Sequence, residues 1–578
     1  MTKSITWKIG GEAGFGIATS GLLFAKSATR SGYYIFTNLE YPSLIRGGHN
    51  VYEVRVGDTE VFSQEKGVDL LVALNRQTID LHARELKPGG AIIYDNEKIT
   101  FSGEEFTGKN INLVKIPFSK LASEAGIEKL MENNIAIGAS LGYLGAHLPA
   151  LFSQIEEIFA KKGQEVIDKN KKAAQTGYDY ILSNYPEGYN LKFPKIEGKD
   201  KLVMTGNDAV VLGAIAAECK FYAAYPMTPS TTILTGLAEK AHETGMVVKH
   251  AEDEISVINM ATGASFAGVR SMVGSSGGGF ALMVETVSLL GITETPLVIA
   301  EVQRPGPATG LPTWTEQGDL HFVIRSGHGE FPKIVLAPGD VLEAYRLTQE
   351  AFNLADIYQC PVFILSDKYL AEGFKSVEKS KIQNSKTQIN RGKVIDNLQY
   401  KEGELVEFQR YIVTEDGISP RLVPGTKGAY FQANSYSHIA DGHTTEEAES
   451  RKKQVDKLLK KTETYKKSHL PPPVLYGNPE APLTIVSWGS MKGPVLQAMQ
   501  DLPEFNLLHF TYIYPFSPQA ESILRKAKKL LLLENNATGQ LGELIAQETG
   551  IRIENKLLKY DGRPFYPEEV IEGIKSYL

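Results

Sequence analysis

Three short segments carry side chains that could act together on a small anionic substrate. In Tyr225-Pro226-Met227-Thr228-Pro229-Ser230, the Thr228 hydroxyl sits on a backbone that two prolines restrict. Glu252-Asp253-Glu254 sets three carboxylates in front of a helical pattern rich in Ala and Gly. Gln303-Arg304-Pro305-Gly306-Pro307 offers a guanidinium on a stiff loop, and an arginine so placed can hold a carboxylate through two parallel N–H donors. Each feature also has a simpler use. Thr228 or Ser230 could cap the helix that follows, Glu254 could serve the positive end of its own helix dipole, and a lone loop arginine is commonly a surface residue.

The elements that must position these residues read as a parallel α/β layer. Lys201 to Thr205 starts a strand, the small residues Ala209 to Cys219 a helix, and Phe221 to Ala224 a strand that delivers Tyr225 to Thr232 at a strand-to-helix junction, where open α/β sheets place ligands. A helix over Ile255 to Val269, a strand at Ser271 to Gly274, a glycine turn at Ser275 to Gly279, a helix over Phe280 to Leu290 and a strand at Pro296 to Val302 continue the pattern. Its repetition predicts a parallel sheet with its loops gathered at one edge.

Residues 1–190 alternate strand and helix signals as well. Ile5 to Ile9 reads as a strand, Gly10 to Gly16 as a glycine loop and Ile17 to Ser31 as a helix. Gly14, Gly16 and Gly21 approach the dinucleotide fingerprint without matching it, so the loop could hold an anion or simply make a tight connection. In Glu40 to His49, one Pro, two Gly and Arg46 suggest a backbone held near a phosphate. A linker spans Asn184 to Asp200. Residues 381–475 lose the pattern except for a helix around Glu446 to Tyr465, and residues 476–578 return to α/β with strands at Leu483 to Ser487, Asn506 to Phe510 and Lys529 to Leu533.

At 578 residues the chain exceeds what one core supports, and its composition, 42% hydrophobic and 22% charged, suits globular domains. No apolar run would span a bilayer, and the first residues lack the apolar core of a signal peptide, so a cytoplasmic location is expected. A net charge of −7 argues against general nucleic-acid binding. The two cysteines, Cys219 and Cys360, lie far apart and read as packed residues, which excludes a cysteine-ligated cluster built from this chain alone.

Taken in order, Gly10 to Gly16, Arg46-Gly47-Gly48, Tyr225 to Ser230, Glu252 to Gly263 and Gln303 to Thr313 resemble the α subunit of 2-oxoacid:ferredoxin oxidoreductases over nearly the whole chain. The type with a fused N-terminal γ domain, as in 2-oxoglutarate:ferredoxin oxidoreductase, is most similar. Met227 stands where that family usually has isoleucine. The resemblance implies a multi-domain α/β fold: a γ domain at 1–190, a thiamine-enzyme pyrimidine-type parallel-sheet domain at 200–380, an irregular excursion at 381–475 and a transketolase-C-like α/β domain at 476–578. Leu532 to Leu541 resembles a motif of that last domain, and could equally be a plain strand-to-helix turn.

Residue by residue, it implies that Thr228, with Tyr225 beside it, contacts the 2-oxoacid, that Arg304 holds its carboxylate, that Glu254 faces the thiamine aminopyrimidine and that Arg46 contacts coenzyme A. No metal ligand is expected in this chain. Thiamine enzymes bind Mg²⁺-diphosphate through a GDG motif that is missing here, and Asn535-Asn536 has no such motif before it. A separate β subunit is therefore expected to bring Mg²⁺-diphosphate binding and a [4Fe–4S] cluster, in a heterodimer or (αβ)₂ heterotetramer. The implied reaction is reversible oxidative decarboxylation of a 2-oxoacid with coenzyme A, giving acyl-CoA, CO₂ and reduced ferredoxin. Pyruvate, branched-chain or broad specificity stays open beside 2-oxoglutarate. Two other readings are a nucleotide-binding oxidoreductase that uses the N-terminal glycine loop and a non-catalytic assembly subunit.

Overall fold

Two units divide the chain in the computed structural model, which describes residues 4–43, 47–101, 106, 108–128, 131–399 and 404–578. The first comprises residues 1–204, 372–381 and 566–572; the second comprises 205–371, 382–565 and 573–578.

An eight-stranded sheet organises the first unit, in the order Asn112–Lys115, Leu86–Tyr94, Val68–Ala73, Ser4–Glu12, His49–Gly57, Tyr34–Glu40, Lys375–Glu378, Lys201–Met204. The half from Ser4–Glu12 towards Asn112–Lys115 is parallel, whereas Ser4–Glu12 pairs antiparallel with His49–Gly57. Alternate apolar residues of the central strand face a core in which Trp7 stacks on Phe24, with ring centroids 4.2 Å apart. The strand runs through Gly10 and Gly11, so the glycine loop is shorter than the sequence suggests, and Gly16 adopts φ 70° to start the helix Ile17–Arg30. Tyr34–Glu40 gives no clear sequence signal because polar Thr37, Asn38 and Glu40 interrupt its apolar run.

In the second unit a seven-stranded sheet has the order Tyr512–Tyr514, Ile334–Leu336, Pro361–Asp367, Leu297–Gln303, Ser271–Ser275, Phe221–Ala224, Val247–His250. Every pairing is parallel except that of the Tyr512–Tyr514 edge. Its central strands are buried along their full length, as a sheet covered on both faces requires. A second sheet, Val474–Tyr476, Phe505–Phe510, Leu483–Trp488, Leu530–Glu534, Lys556–Leu558, shares one apolar core with it, where Trp488, Leu508 and Leu532 join Val273, Ile299 and Phe363.

Helix limits differ from the sequence reading where caps decide them. A Thr205/Asp208 capping box starts a helix at Gly206 and the helix ends at Ala216, which leaves Cys219 beyond it. Asp253 caps the helix Glu254–Phe266, so Glu254 is its first residue. Residues 277–293 form two helices, Gly277–Phe280 and Val284–Thr293.

The segment that sequence leaves irregular is fastened by buried charge. Lys457 and Lys461 of the helix Ala448–Ser468 both reach Glu294, each at 2.5 Å, and Arg391 and Arg421 converge on Asp356. Both cysteines are free and buried, and burial pushes their thiols up to about 12. No helix among the described residues is long and apolar enough to cross a membrane.

Candidate functional site

The carboxyl ends of the parallel strands in the second unit bring the chemically distinctive residues to one edge of the sheet. Phe221–Ala224 leads into Tyr225 to Thr228, Val247–His250 into Glu254, Ser271–Ser275 into Ser276 to Gly279, and Leu297–Gln303 into Arg304.

The turn bearing Thr228 is anchored from below, since Asn207 Nδ2 donates to Pro229 O at 2.9 Å and Ser230 Oγ to Met227 O at 2.8 Å. Ser230 makes no side-chain cap to the helix Thr231–Thr244, and the Thr228 hydroxyl makes no hydrogen bond among the described residues. Capping therefore does not account for this turn. Arg304 Nη1 donates to Thr228 O at 2.7 Å, so one backbone carbonyl places the guanidinium beside the Thr228 turn. Partial burial lowers the Arg304 pKa from its usual value, and the charge of Asp319 works against that. Tyr225 is exposed, with its ring edge-on to His250 at 6.2 Å between centroids.

Glu254 is buried, and its Oε1 meets no donor. A methyl group added to Gly279 would lie 2.3 Å from that oxygen and 2.2 Å from Ser275 Oγ, so any larger residue would have to displace the Glu254 carboxylate and the Ser275 hydroxyl. Ser275 Oγ also approaches Met227 Sδ at 3.9 Å, which links the glycine turn to the Thr228 turn. On the other side of that turn, a methyl group on Gly277 would come 2.4 Å from Asp319 Oδ2. Gly277 and Gly279 thus let two carboxylates close in on one short turn. An orphaned, buried carboxylate oxygen at such a place suits an N–H of a heteroaromatic ring.

Sequence reasoning did not single out Glu301 and Asp319. Glu301 lies within the strand Leu297–Gln303 with no exposed surface, and its carboxyl contacts that of Asp319. Burial, then the charge and hydrogen bond of Asp319, hold Glu301 well above the usual carboxylate range. Burial also pushes Asp319 up to about 6, against the pull of Glu301 and Arg304. The one available signal was a glutamate inside the apolar run Leu297-Val298-Ile299-Ala300-Glu301-Val302.

Asn535 and Asn536 serve the architecture. Asn535 O accepts from Gln317 N at 2.7 Å, Asn536 Nδ2 donates to Gln317 O at 3.1 Å, and Glu534 accepts from Leu541 N at 3.0 Å at the start of a helix. The motif fixes the Gln317 to Asp319 segment. In the first unit, the glycine loop borders a cavity of about 400 Å³ lined by Gly14, Phe15, Leu74, Asp95, Lys98 and Asn133 among others. Arg46 lies outside the described residues.

Comparison with known proteins follows this layout. Residues 6–180 match the family described as pyruvate ferredoxin/flavodoxin oxidoreductase, and residues 212–457 match its thiamine diphosphate-binding family. The 2-oxoacid:ferredoxin oxidoreductase α subunit of Saccharolobus solfataricus is 34% identical over 99% of this chain and 97% of its own length. The 2-oxoglutarate oxidoreductase subunit KorA of Mycobacterium tuberculosis is 26% identical over 100% of this chain and 92% of its own. A structure of 2-oxoglutarate:ferredoxin oxidoreductase from Magnetococcus marinus, with 2-oxoglutarate, coenzyme A and succinyl-CoA bound, superposes with a TM-score of 0.90 at 32% identity and covers 100% of both chains. On these grounds the chain belongs to the α subunits of the 2-oxoacid:ferredoxin oxidoreductases, enzymes of oxidative 2-oxoacid metabolism.

Proposed function

We propose that this chain supplies the substrate-holding and pyrimidine-facing half of a thiamine diphosphate site that oxidises 2-oxoglutarate with coenzyme A to succinyl-CoA and CO₂. The electrons pass to ferredoxin through a [4Fe–4S] cluster of a β subunit, which also binds Mg²⁺-diphosphate. The observation that carries this reading is the Arg304 Nη1 to Thr228 O hydrogen bond, which sets a guanidinium and a free hydroxyl at one loop edge. The Magnetococcus marinus structure supports 2-oxoglutarate over pyruvate or branched-chain acids.

Within the site, Arg304 binds the 1-carboxylate of the oxoacid and Thr228 Oγ1 orients its keto oxygen, so the bond to be broken is aligned before reaction. Tyr225, exposed beside them, borders the substrate. Glu254 Oε1, which lacks a donor of its own, would accept a hydrogen bond from an N–H of the aminopyrimidine ring and would favour the tautomer that carries that N–H. When bound, thiamine diphosphate supplies the electron sink for decarboxylation. The helix that begins with Glu254 leaves Ile255 and Met260 exposed, and Leu282 after the glycine turn is exposed too, an apolar surface suited to the β subunit.

Residues 1–190 form the γ domain in this reading, with coenzyme A bound there and Arg46 against one of its phosphates. Residues 200–380, 381–475 and 476–578 are the pyrimidine-type domain, its excursion and the C-terminal domain. In the complex reconstituted with the β subunit, turnover on 2-oxoglutarate, pyruvate and 2-oxoisovalerate tests the substrate. Preference for 2-oxoglutarate is expected, and faster turnover on pyruvate would overturn the assignment.

A further inference from the structure

Glu301 has no exposed surface, and neither of its carboxyl oxygens meets a hydrogen-bond donor among the described residues. Its polar contact is another acid, the carboxyl of Asp319. The backbone that carries Asp319 is held in place. Its N–H donates to Gln303 Oε1 at 3.0 Å, Gln540 Nε2 holds the preceding Gly318 O at 2.7 Å, and Gly277 packs against Oδ2. With Glu301 fully buried and the partly covered Asp319 against it, the two carboxylates are not ionised together, because mutual repulsion and the lost hydration of Glu301 add, whereas one shared proton turns the contact into a strong hydrogen bond.

The charged groups that face this pair are few. Arg304, from the end of the same strand, acts on Asp319; Asp367, at the end of the neighbouring strand Pro361–Asp367, acts on Glu301; Glu316 feels Asp319. Asp367 Oδ1 is occupied by Thr315 Oγ1 at 3.3 Å and Leu370 N at 3.1 Å.

We propose that Glu301 and Asp319 hold one proton between them and are positioning residues for Arg304, opposing it with a single shared negative charge that leaves the guanidinium free for an oxoacid carboxylate. The proposal rests on the reading of Arg304 as the carboxylate holder. Loss of the shared proton puts a full second charge behind Arg304, and Asp319 then competes with substrate for it. The oxoacid KM therefore rises with pH, while kcat at saturating substrate changes less.

The test uses the reconstituted complex, with this chain carrying ¹³C-carboxyl glutamate. Isotope-edited infrared spectra should show a carboxylic-acid C=O band at neutral pH that Glu301→Gln removes and Asp319→Asn shifts. In the wild type, the oxoacid KM should climb by up to about tenfold per pH unit above the titration of that band. Glu301→Gln, whose amide always donates to Asp319, should flatten the climb. No protonated-glutamate band sensitive to either substitution, or an undiminished KM climb in Glu301→Gln, would overturn the proposal. The infrared arm needs no substrate, so a complex without 2-oxoacid turnover would refute the functional reading while the shared proton is still decided.

Discussion

One backbone contact places Arg304 for the role proposed for it. Its Nη1 bond to Thr228 O leaves the rest of the guanidinium available, and a buried or half-buried arginine that binds a carboxylate contributes about 1.5–3 kcal/mol through charged hydrogen bonds. Arg304→Ala should therefore raise the oxoacid KM by about 10–100-fold, measured by steady-state kinetics in the complex, with a much smaller effect on the coenzyme A KM. Equal effects on both would argue against a carboxylate role. Gly279→Ala, which drives a methyl group into Glu254 and Ser275, should lower kcat and weaken thiamine diphosphate binding in calorimetric titration of the complex. The placement of Thr228, Glu254 and Arg304 after strand ends was legible in the sequence because prolines, glycines and charges cluster in loops after apolar strands. The Glu301–Asp319 pair was not, since its members come from different elements and only tertiary packing brings their carboxyls together.

At the scale of elements, parallel strands with short loops were readable from apolar runs, whereas over 381–475 the one clear signal was the helix now seen at Ala448–Ser468. That segment is held by ions on two acidic anchors, and charge pairing across distant residues leaves no periodicity to detect. Glu294 shows the consequence. Lys461, Lys457 and Arg410 outweigh burial and hold its carboxyl below the usual range, while burial lowers Lys457 to about 8 despite Glu294. The two shifts place opposite demands on the same contact, and at neutral pH the ionised Glu294 between two cations is the state that geometry favours. Glu294→Gln strands two buried ammonium groups and should destabilise the second unit by about 3–5 kcal/mol, seen as a lower unfolding temperature in calorimetry. The Glu294 contribution is present above the unfolded carboxylate range and is lost as pH falls through its depressed folded value, so the wild type should lose this stability only in strong acid. Asp253→Ala removes a helix cap beside Glu254 and should cost about 1 kcal/mol in the same measurement.

For the whole molecule, the decisive feature is what the edge of the parallel sheet contains and what it leaves to others. Thr228, Arg304 and Glu254 lie at strand ends of one unit, with a carboxylate oxygen that still lacks a donor, and Ile255, Met260 and Leu282 are exposed nearby in sequence. In the proposed reading, a half-site of this kind works only when a second chain closes it. The most direct test is coenzyme A-dependent reduction of viologen by 2-oxoglutarate, with thiamine diphosphate and Mg²⁺, using the purified chain alone and then with its β subunit. No turnover by the chain alone and full turnover on adding the β subunit is the expected result; full activity from the isolated chain would contradict it.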